Sequence, residues 1–96
     1  MPVYVVAYDL NKETKRPPIT KEVHKTHYAK LSESSYAVET KESSDTVFAR
    51  FKKHLDENDN LYVIPLRKPY SGFGPQEVID WLNEKLPGPG FASRTS

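Results

Sequence analysis

The sequence predicts an α+β fold built around a single sheet, and three observations lead to this prediction. Apolar, β-branched runs short enough for strands alternate along the chain with segments of helical periodicity. The 96 residues have room for one domain and no more. The strands are too few for a doubly wound sheet of the flavodoxin type. The simplest arrangement that fits is a ferredoxin-like βαββαβ order with helices on one face, followed by a C-terminal helix.

The N-terminal part of the chain predicts a central strand, a loop and a helix. The strand runs from Val3 to Tyr8, is apolar on both faces as a central strand would be, and ends at Asp9. Asn11 to Pro18 is polar and basic, and the two prolines that close it are expected to forbid a helix before Ile19. This segment is therefore predicted to be a flexible loop. A short amphipathic helix follows over about residues 20–27.

The middle of the chain predicts two extended segments and a second helix. Tyr28 to Leu31 and Ser35 to Thr40 alternate and favour β-type residues, with a turn or bulge at Ser32 to Ser34. They form either a hairpin or one kinked strand. Ser43 to Asp45 then supplies the N-cap of a helix that is expected to end near Asp56. The apolar stripe of that helix is Val47, Phe48, Phe51 and Leu55.

The C-terminal part predicts one more strand and one more helix. Leu61 to Leu66 is the strand, and Pro65 within it favours a sheet edge or a strand end. Arg67 to Pro75 is a loop with two glycines, and Pro75 suits the first position of the following helix. The apolar face of that helix is Val78, Ile79, Leu82 and Leu86. We take residues 1–87 as one ferredoxin-like domain and 88–96 as a disordered tail.

The composition excludes several classes of protein. The chain has no cysteine, which excludes a disulfide framework, a thiol nucleophile and a cysteine-based zinc site. The longest apolar run, Val3 to Ala7, is far shorter than a membrane span, and no basic segment precedes it. We therefore expect a cytoplasmic protein with no membrane partner. The composition is polar for a small domain, with 36% hydrophobic and 28% charged residues, and this favours a homodimer.

The charges are distributed unevenly, although the net charge is only +1. Residues 12–30 hold six basic and two acidic side chains, whereas residues 31–60 hold four basic and seven acidic ones. The first segment includes Lys12, Lys15 and Arg16, which are candidates for contact with a phosphate backbone. The alternative is a solvated charged face, which is the more common role of a charge run.

Asp9 is the first candidate for chemistry, because it ends a strand that is predicted to be central. Open α/β sheets commonly place ligands and metals at the carboxyl ends of such strands. One interpretation is an Asx-turn, in which Asp9 accepts a backbone N–H from Asn11 or a nearby residue. The other is ligation of Mg²⁺ or Mn²⁺, which a single carboxylate binds weakly unless substrate phosphates or a second protomer complete the coordination.

The loop from Arg67 to Pro75 is the second candidate, because it combines cations with aromatic residues. Arg67 and Lys68 can bind phosphate, and Tyr70 and Phe73 can stack on bases, so the loop resembles a contact for single-stranded nucleic acid. The alternative is a structural connector in which the aromatic rings cover the core and the cations are solvated.

Three segments taken together resemble a known family. They are the first strand closing on Tyr8-Asp9-Leu10, the strand Ser35 to Glu39 and the strand Leu61 to Leu66. This pattern resembles the small CRISPR-associated protein of the spacer-acquisition complex (the Cas protein numbered two) and its VapD toxin relatives. The resemblance covers roughly Val3 to Leu66.

The resemblance implies a ferredoxin-like homodimer in which Asp9 matches the family's proposed metal-binding aspartate, near a twofold axis. Metal-dependent phosphodiester cleavage or plain nucleic-acid binding would follow from it. The chain also departs from the family, which commonly carries arginines early in its first helix where this chain has a long proline-bearing loop. The loop from Arg67 to Pro75 and the helix after it replace the family's usual last strands. These departures indicate an uncharacterised side branch.

The sequence thus leaves three functions open, and with them the question of whether the protein is an enzyme. The preferred function is a small dimeric protein that associates with RNA or DNA through Lys12, Lys15, Arg16, Arg67, Lys68, Tyr70 and Phe73. The second is a metal-dependent nuclease that uses Asp9 at a dimer axis. The third is a non-catalytic regulatory, phage or toxin–antitoxin protein that acts by protein contact.

Overall fold

Four antiparallel strands form the main sheet: β1 (Val3–Asp9), β2 (His27–Ser32), β3 (Ser35–Glu39) and β4 (Asn60–Leu66). Their order across the sheet is β2-β3-β1-β4. Helix α1 (Arg16–Val23) connects β1 to β2, and helix α2 (Ser44–Lys52) connects β3 to β4. This is the ferredoxin-like βαββαβ arrangement that the sequence predicts. The structure is a computed structural model and describes residues 1–88 and 92–94.

Strand β1 is central, as its apolar pattern indicates, and β4 is an edge strand. Val5 lies opposite Ala37 of β3 on one side and opposite Ile64 of β4 on the other. Pro65 can occupy β4 because a residue without a backbone N–H is tolerated at a sheet edge. Strands β2 and β3 form a hairpin, with a register irregularity between Lys30 and Ser32. The hairpin alternative is therefore the correct one.

Helices α1 and α2 cover one face of the sheet, which we call the closed face. Side chains alternate along a strand, so Tyr4, Val6 and Tyr8 of β1 all point to this face. The other buried residues of this core are Ile19, Val23, Tyr36, Val38, Val47, Phe51 and Leu61. Ser43 caps α2 as predicted, because its Oγ accepts the Thr46 N–H at 3.3 Å.

The start and end predicted for the first helix are wrong. Helix α1 begins at Arg16, and both prolines lie in its first turn. A proline is tolerated there because the first N–H groups of a helix have no intrahelical acceptor to lose. The preceding residues Glu13–Lys15 already form a 3-10 turn. The helix ends at Val23, and β2 begins at His27, so the predicted end at residue 27 lies inside a strand.

Helix α2 ends at Lys52, four residues before the predicted end at Asp56. Its predicted apolar stripe is confirmed nonetheless. Val47 and Phe51 are buried in the core of the closed face, and Phe48 and Leu55 pack against it. The chain leaves the helix through turns, in which the His54 N–H donates to the Phe51 carbonyl and the Leu55 N–H to the Lys52 carbonyl.

Helix α3 (Gln76–Lys85) lies on the opposite face of the sheet and begins directly after Pro75. Its Leu82, together with Leu86, packs against Val3 and Ala37 in a second, smaller core. The helix covers only part of this face, because Tyr62 and Ile64 of β4 remain 60% and 52% exposed. Among residues 1–88 and 92–94, no helix is long and apolar enough to cross a membrane.

A small parallel sheet pairs β5 (Tyr70–Gly72) with β6 (Ala92–Arg94). Within the tail predicted at 88–96, residues 92–94 form this strand and Gly88 is described, whereas residues 89–91 and 95–96 lie outside the described residues. The Lys68 N–H donates to the Pro87 carbonyl at 2.8 Å, and Gly88 turns the chain with a φ of 96°. This turn lies beside the start of the 67–75 loop, close to β5.

Candidate functional site

Asp9 ends β1 at the border of the face that α3 covers in part. It lies opposite Asn60 of β4 and shares its side of the sheet with Val5 and Ala7, because side chains alternate along the strand. The residue is exposed. Within the described residues, its carboxylate has no hydrogen-bond or ion-pair partner. The structure therefore presents Asp9 to solvent at the carboxyl end of the central strand, where the sequence predicts it.

The Asx-turn interpretation of Asp9 is wrong with respect to Asn11. The Asn11 N–H donates instead to Oδ1 of Asp59 at 2.7 Å, so a residue from the turn before β4 accepts this bond. The carboxylate of Asp9 is left available to a ligand. The described residues contain no group of three His, Asp or Glu side chains placed to hold a metal. A cation bound to Asp9 would take its remaining ligands from water, phosphate oxygens or a second copy of the chain.

Lys15 is held by an acid–lysine cluster, which consists of Lys15, Asp56 and Asp59. Its ammonium donates to Oδ2 of Asp59 at 2.6 Å and to Oδ2 of Asp56. The Asp59 carboxylate is fully enclosed and also accepts the backbone N–H of Asp56 at 2.9 Å. The Asn11 N–H, the Lys15 ammonium and the Asp56 N–H together lower the pKa of Asp59 to about 2. The cluster joins the loop after β1 to the turn before β4.

Arg16 is also directed to acceptors within the protein. Its Nε donates to Oε2 of Glu13 at 2.9 Å, and its Nη1 donates to the carbonyl of Glu33. The guanidinium lies 5.6 Å from the centre of the Tyr8 ring, which is within the range of a cation–π contact. Lys12, by contrast, is exposed, and its ammonium has no acceptor in the described part of the chain.

The basic segment predicted to contact phosphate is therefore surrounded by acids in the folded protein. Asp56 and Asp59 reach it from the turn before β4, and Glu13 reaches it from its own 3-10 turn. The positive local charge seen in the sequence is offset by residues that lie more than forty positions away along the chain. Of the three predicted phosphate contacts here, Lys12 alone keeps an ammonium unpaired among the described residues.

The second predicted site is the loop from Arg67 to Phe73. It follows Leu66, the last residue of β4, whereas Asp9 lies opposite Asn60, the first residue of β4. Tyr70 packs against the second core, and its hydroxyl lies 3.0 Å from Oδ1 of Asn83 and 3.3 Å from the carbonyl of Ile79. Phe73 is 80% exposed. Arg67, Tyr70 and Phe73 line a cavity of about 300 Å³ between this loop and α3. The loop thus combines both interpretations, since Tyr70 is structural and Phe73 is exposed to solvent.

The two predicted sites do not come together within one chain. Asp9 lies opposite Asn60 at one end of β4, whereas Val3 lies opposite Leu66, the residue before Arg67, at the other end. Seven residues of strand separate these ends, which corresponds to about 20 Å. A ligand that contacts both Asp9 and Phe73 would have to span the sheet or lie between two copies.

An open apolar surface on the sheet was not predicted as a site. It consists of Val5, Ala7, Tyr62 and Ile64, which share one face because β1 and β4 are paired in register. The first two are half-buried, and the last two are more than half exposed. The signal in the sequence is that β4 is apolar at successive positions although an edge strand usually needs only one apolar face. Asp9 borders this surface.

Comparisons with known proteins identify a structural relative and no family. No protein-family model matches the sequence, and no curated protein matches it. Among solved structures, the chain is similar to the hypothetical protein TT1823 from Thermus thermophilus, with a TM-score of 0.64 and 20% identical residues. The match covers 77% of this chain and 92% of the other. At this identity the similarity establishes the fold alone.

Proposed function

We propose that this protein is a small homodimer that associates with nucleic acid and belongs to a side branch of the CRISPR-associated and VapD-like proteins that its sequence resembles. The observation that carries the proposal is the open apolar surface with Asp9 at its border. Tyr62 and Ile64 are large apolar side chains held on a rigid strand, and they are more than half exposed in the monomer. Such a surface is typical of a contact between proteins.

A second copy of the chain is the proposed occupant of this surface. The surface is apolar at its centre, and the charged side chain of Asp9 lies at its border. It can therefore meet itself across a twofold axis without placing unpaired charges at the centre of the contact. That arrangement would also place two copies of Asp9 at the margins of one interface. The small size and polar composition of the domain favour additional burial of this kind.

Nucleic acid is the proposed ligand because several cations have no protein acceptor. Arg67, Lys68 and Lys12 carry no ion pair among the described residues. Phe73 is exposed, lines the same cavity as Arg67 and can stack on a base. A dimer doubles the number of these cations, and each phosphate they neutralise adds to the salt dependence of binding. This compensates for a net charge of only +1 per chain.

The test is a retention assay on labelled single-stranded RNA, single-stranded DNA and duplex DNA over a series of salt concentrations. We expect retention that weakens steeply with salt, and a loss of affinity in the double variant Arg67→Ala/Lys68→Ala. Lys52→Ala is the matched control, because Lys52 is an exposed cation on the closed-face helix α2. Retention that does not respond to salt, or an equal loss in both variants, would contradict the proposal.

A metal-dependent nuclease is the second candidate, and the exposed, unpaired carboxylate of Asp9 favours it. In this function Asp9 would hold Mg²⁺ or Mn²⁺, which would supply Lewis-acid activation for hydrolysis of a phosphodiester, and Lys12 would neutralise the phosphate. Lys15 and Arg16 could contribute only by exchanging their acceptors Asp59, Asp56 and Glu13 for phosphate.

The nuclease candidate is tested on the same substrates with Mg²⁺, Mn²⁺ or EDTA. Cleavage that requires metal and is abolished in Asp9→Asn, but not in Asp45→Asn, would establish it; Asp45 is an exposed aspartate in the first turn of α2. Binding without cleavage would leave the nucleic-acid-associated protein. A dimer with neither activity would instead favour a regulatory protein that acts by protein contact.

A further inference from the structure

A pair of exposed rings lies at the opposite edge of the sheet from β4. His24 is the residue that follows α1, and Tyr28 is the second residue of β2. Their ring centroids are 4.8 Å apart with an interplanar angle of 23°, so the rings are stacked. Tyr28 also meets the edge of Tyr36 at 5.9 Å, and Tyr36 is buried in the core of the closed face. We call His24 and Tyr28 the ring pair.

The ring pair contacts the core on one side and is exposed to solvent on the other. Tyr36 is only 5% exposed and supports Tyr28 from the core, whereas Tyr28 is 39% exposed and His24 is exposed. Strand β2 is the edge strand on this side, and no further strand covers it in the described part of the chain. An aromatic surface that is held rigid before binding loses little conformational entropy when a ligand stacks on it.

Three lysines lie close to the ring pair along the chain. Lys21 lies one helical turn before His24, Lys25 follows His24 directly, and Lys30 lies two residues after Tyr28 on the same side of β2. Lys21 has no acceptor among the described residues. Lys25 and Lys30 contact Glu22 at 3.1 Å and Glu33 at 3.3 Å, and their side chains remain about half exposed. All three lysines thus lie within three residues of His24 or Tyr28 along the chain.

The acids near the ring pair do not neutralise it fully. Glu22 is buried, and its Oε1 is shared between Lys25 at 3.1 Å and Lys53 at 3.4 Å, with His54 at 3.5 Å. These contacts, against the opposing cost of burial, lower the pKa of Glu22, so the carboxylate is ionised at neutral pH and one negative charge serves two lysines. Lys21, which has no acceptor among the described residues, keeps its positive charge one helical turn from His24.

We propose that the ring pair and Lys21, Lys25 and Lys30 form a site for single-stranded nucleic acid, in which an unpaired base stacks on the rings and the lysines bind the flanking phosphates. The proposal rests on the proposed function, because it adds a second contact for the same ligand, at the β2 edge of the sheet. Aromatic faces accept any base, so the site is tolerant of sequence. A base must be unpaired to reach them, so duplex DNA binds here more weakly.

The test is a fluorescence-anisotropy titration of labelled oligothymidylate and oligouridylate with the full chain. Tyr28→Ala is expected to weaken binding by about 5- to 100-fold, because one base stack is lost. Tyr28→Phe retains the ring and is expected to bind within about twofold of the original protein. Circular dichroism on each variant establishes that the fold is kept. Equal binding by Tyr28→Ala and the original protein would overturn the proposal.

A second readout uses the three histidines of the chain. On addition of the oligonucleotide, the NMR ring signals of His24 are expected to shift, whereas those of His27 and His54 stay in place. His27 points to the opposite side of β2, and His54 lies against the buried Glu22. Shifts of His27 without His24 would overturn the ring-pair site and leave the proposed function standing. No binding of any oligonucleotide by the original protein would overturn both.

Discussion

The two faces of the sheet carry similar apolar side chains and are covered to different extents. Leu61 of β4 points to the closed face and is 8% exposed, whereas its neighbour Tyr62 points to the other face and is 60% exposed. Helices α1 and α2 cover the closed face, while α3 packs against Val3 and Ala37 and leaves the rest open. The sheet is apolar on both faces, but the three helices of the described residues cover one face and only part of the other.

The largest expected difference between the faces is in the free energy of unfolding that is lost when an isoleucine of each face is replaced by alanine. Ile19→Ala on the closed face should lower the free energy of unfolding by about 2–5 kcal/mol, because Ile19 is fully buried. Ile64→Ala should change it by less than about 1 kcal/mol in dilute protein, because Ile64 is 52% exposed in the monomer. Urea unfolding followed by circular dichroism measures both. Equal losses would contradict the contrast between the faces.

A smaller effect on stability is expected when acid protonates Asp59 of the acid–lysine cluster. The pKa of Asp59 is lowered from 3.8 to about 2, so its contribution to stability is present above pH 4 and is lost as the pH falls toward 2. Asp59→Asn should lower stability at pH 6 and flatten its pH dependence between 4 and 2. Urea unfolding at several pH values tests this. An unchanged pH dependence in Asp59→Asn would show that the cluster contributes nothing.

The smallest effect on stability is expected at Asp9. Asp9→Asn should change the free energy of unfolding by less than about 0.5 kcal/mol, because the carboxylate is exposed and unpaired among the described residues. Thermal unfolding of the two proteins side by side measures this. A stable variant makes any loss of function attributable to the missing carboxylate. A large loss of stability would instead assign Asp9 a structural role.

Much of the fold could be predicted because it depends on local pattern. The four strands of the main sheet and α3 follow from runs of apolar residues with a clear period, whereas β5 lies in a segment that was predicted to be a loop. The N-cap at Ser43 follows from its position before an apolar stripe. The start of α1 was not predictable from the prolines alone, because a helix tolerates proline in its first turn. The pairing of β6 with β5 was not predicted, because strands of three residues are too short to show a period.

The site was predicted less completely, because tertiary contacts decide which charges and rings remain available. Lys15 looks free in the sequence, yet Asp56 and Asp59 reach it from forty or more residues away. Tyr70 is predicted as a ligand contact; it is partly buried against the second core and also lines the cavity beside α3. His24 follows helix α1 and Tyr28 lies in strand β2. Neither the helical nor the strand periodicity of the sequence therefore predicts that their rings stack.

The molar mass in solution, measured by light scattering on a size-exclusion column over a range of protein concentrations, tests the account most directly. The account predicts a dimer of about twice the 11.0 kDa chain that Ile64→Lys converts to a folded monomer, because the charge would be buried in both copies of the interface. Lys52→Ala on the surface of α2 should remain a dimer. A monomer at every concentration, or a dimer unaffected by Ile64→Lys, would contradict the claim that a second copy covers the open apolar surface.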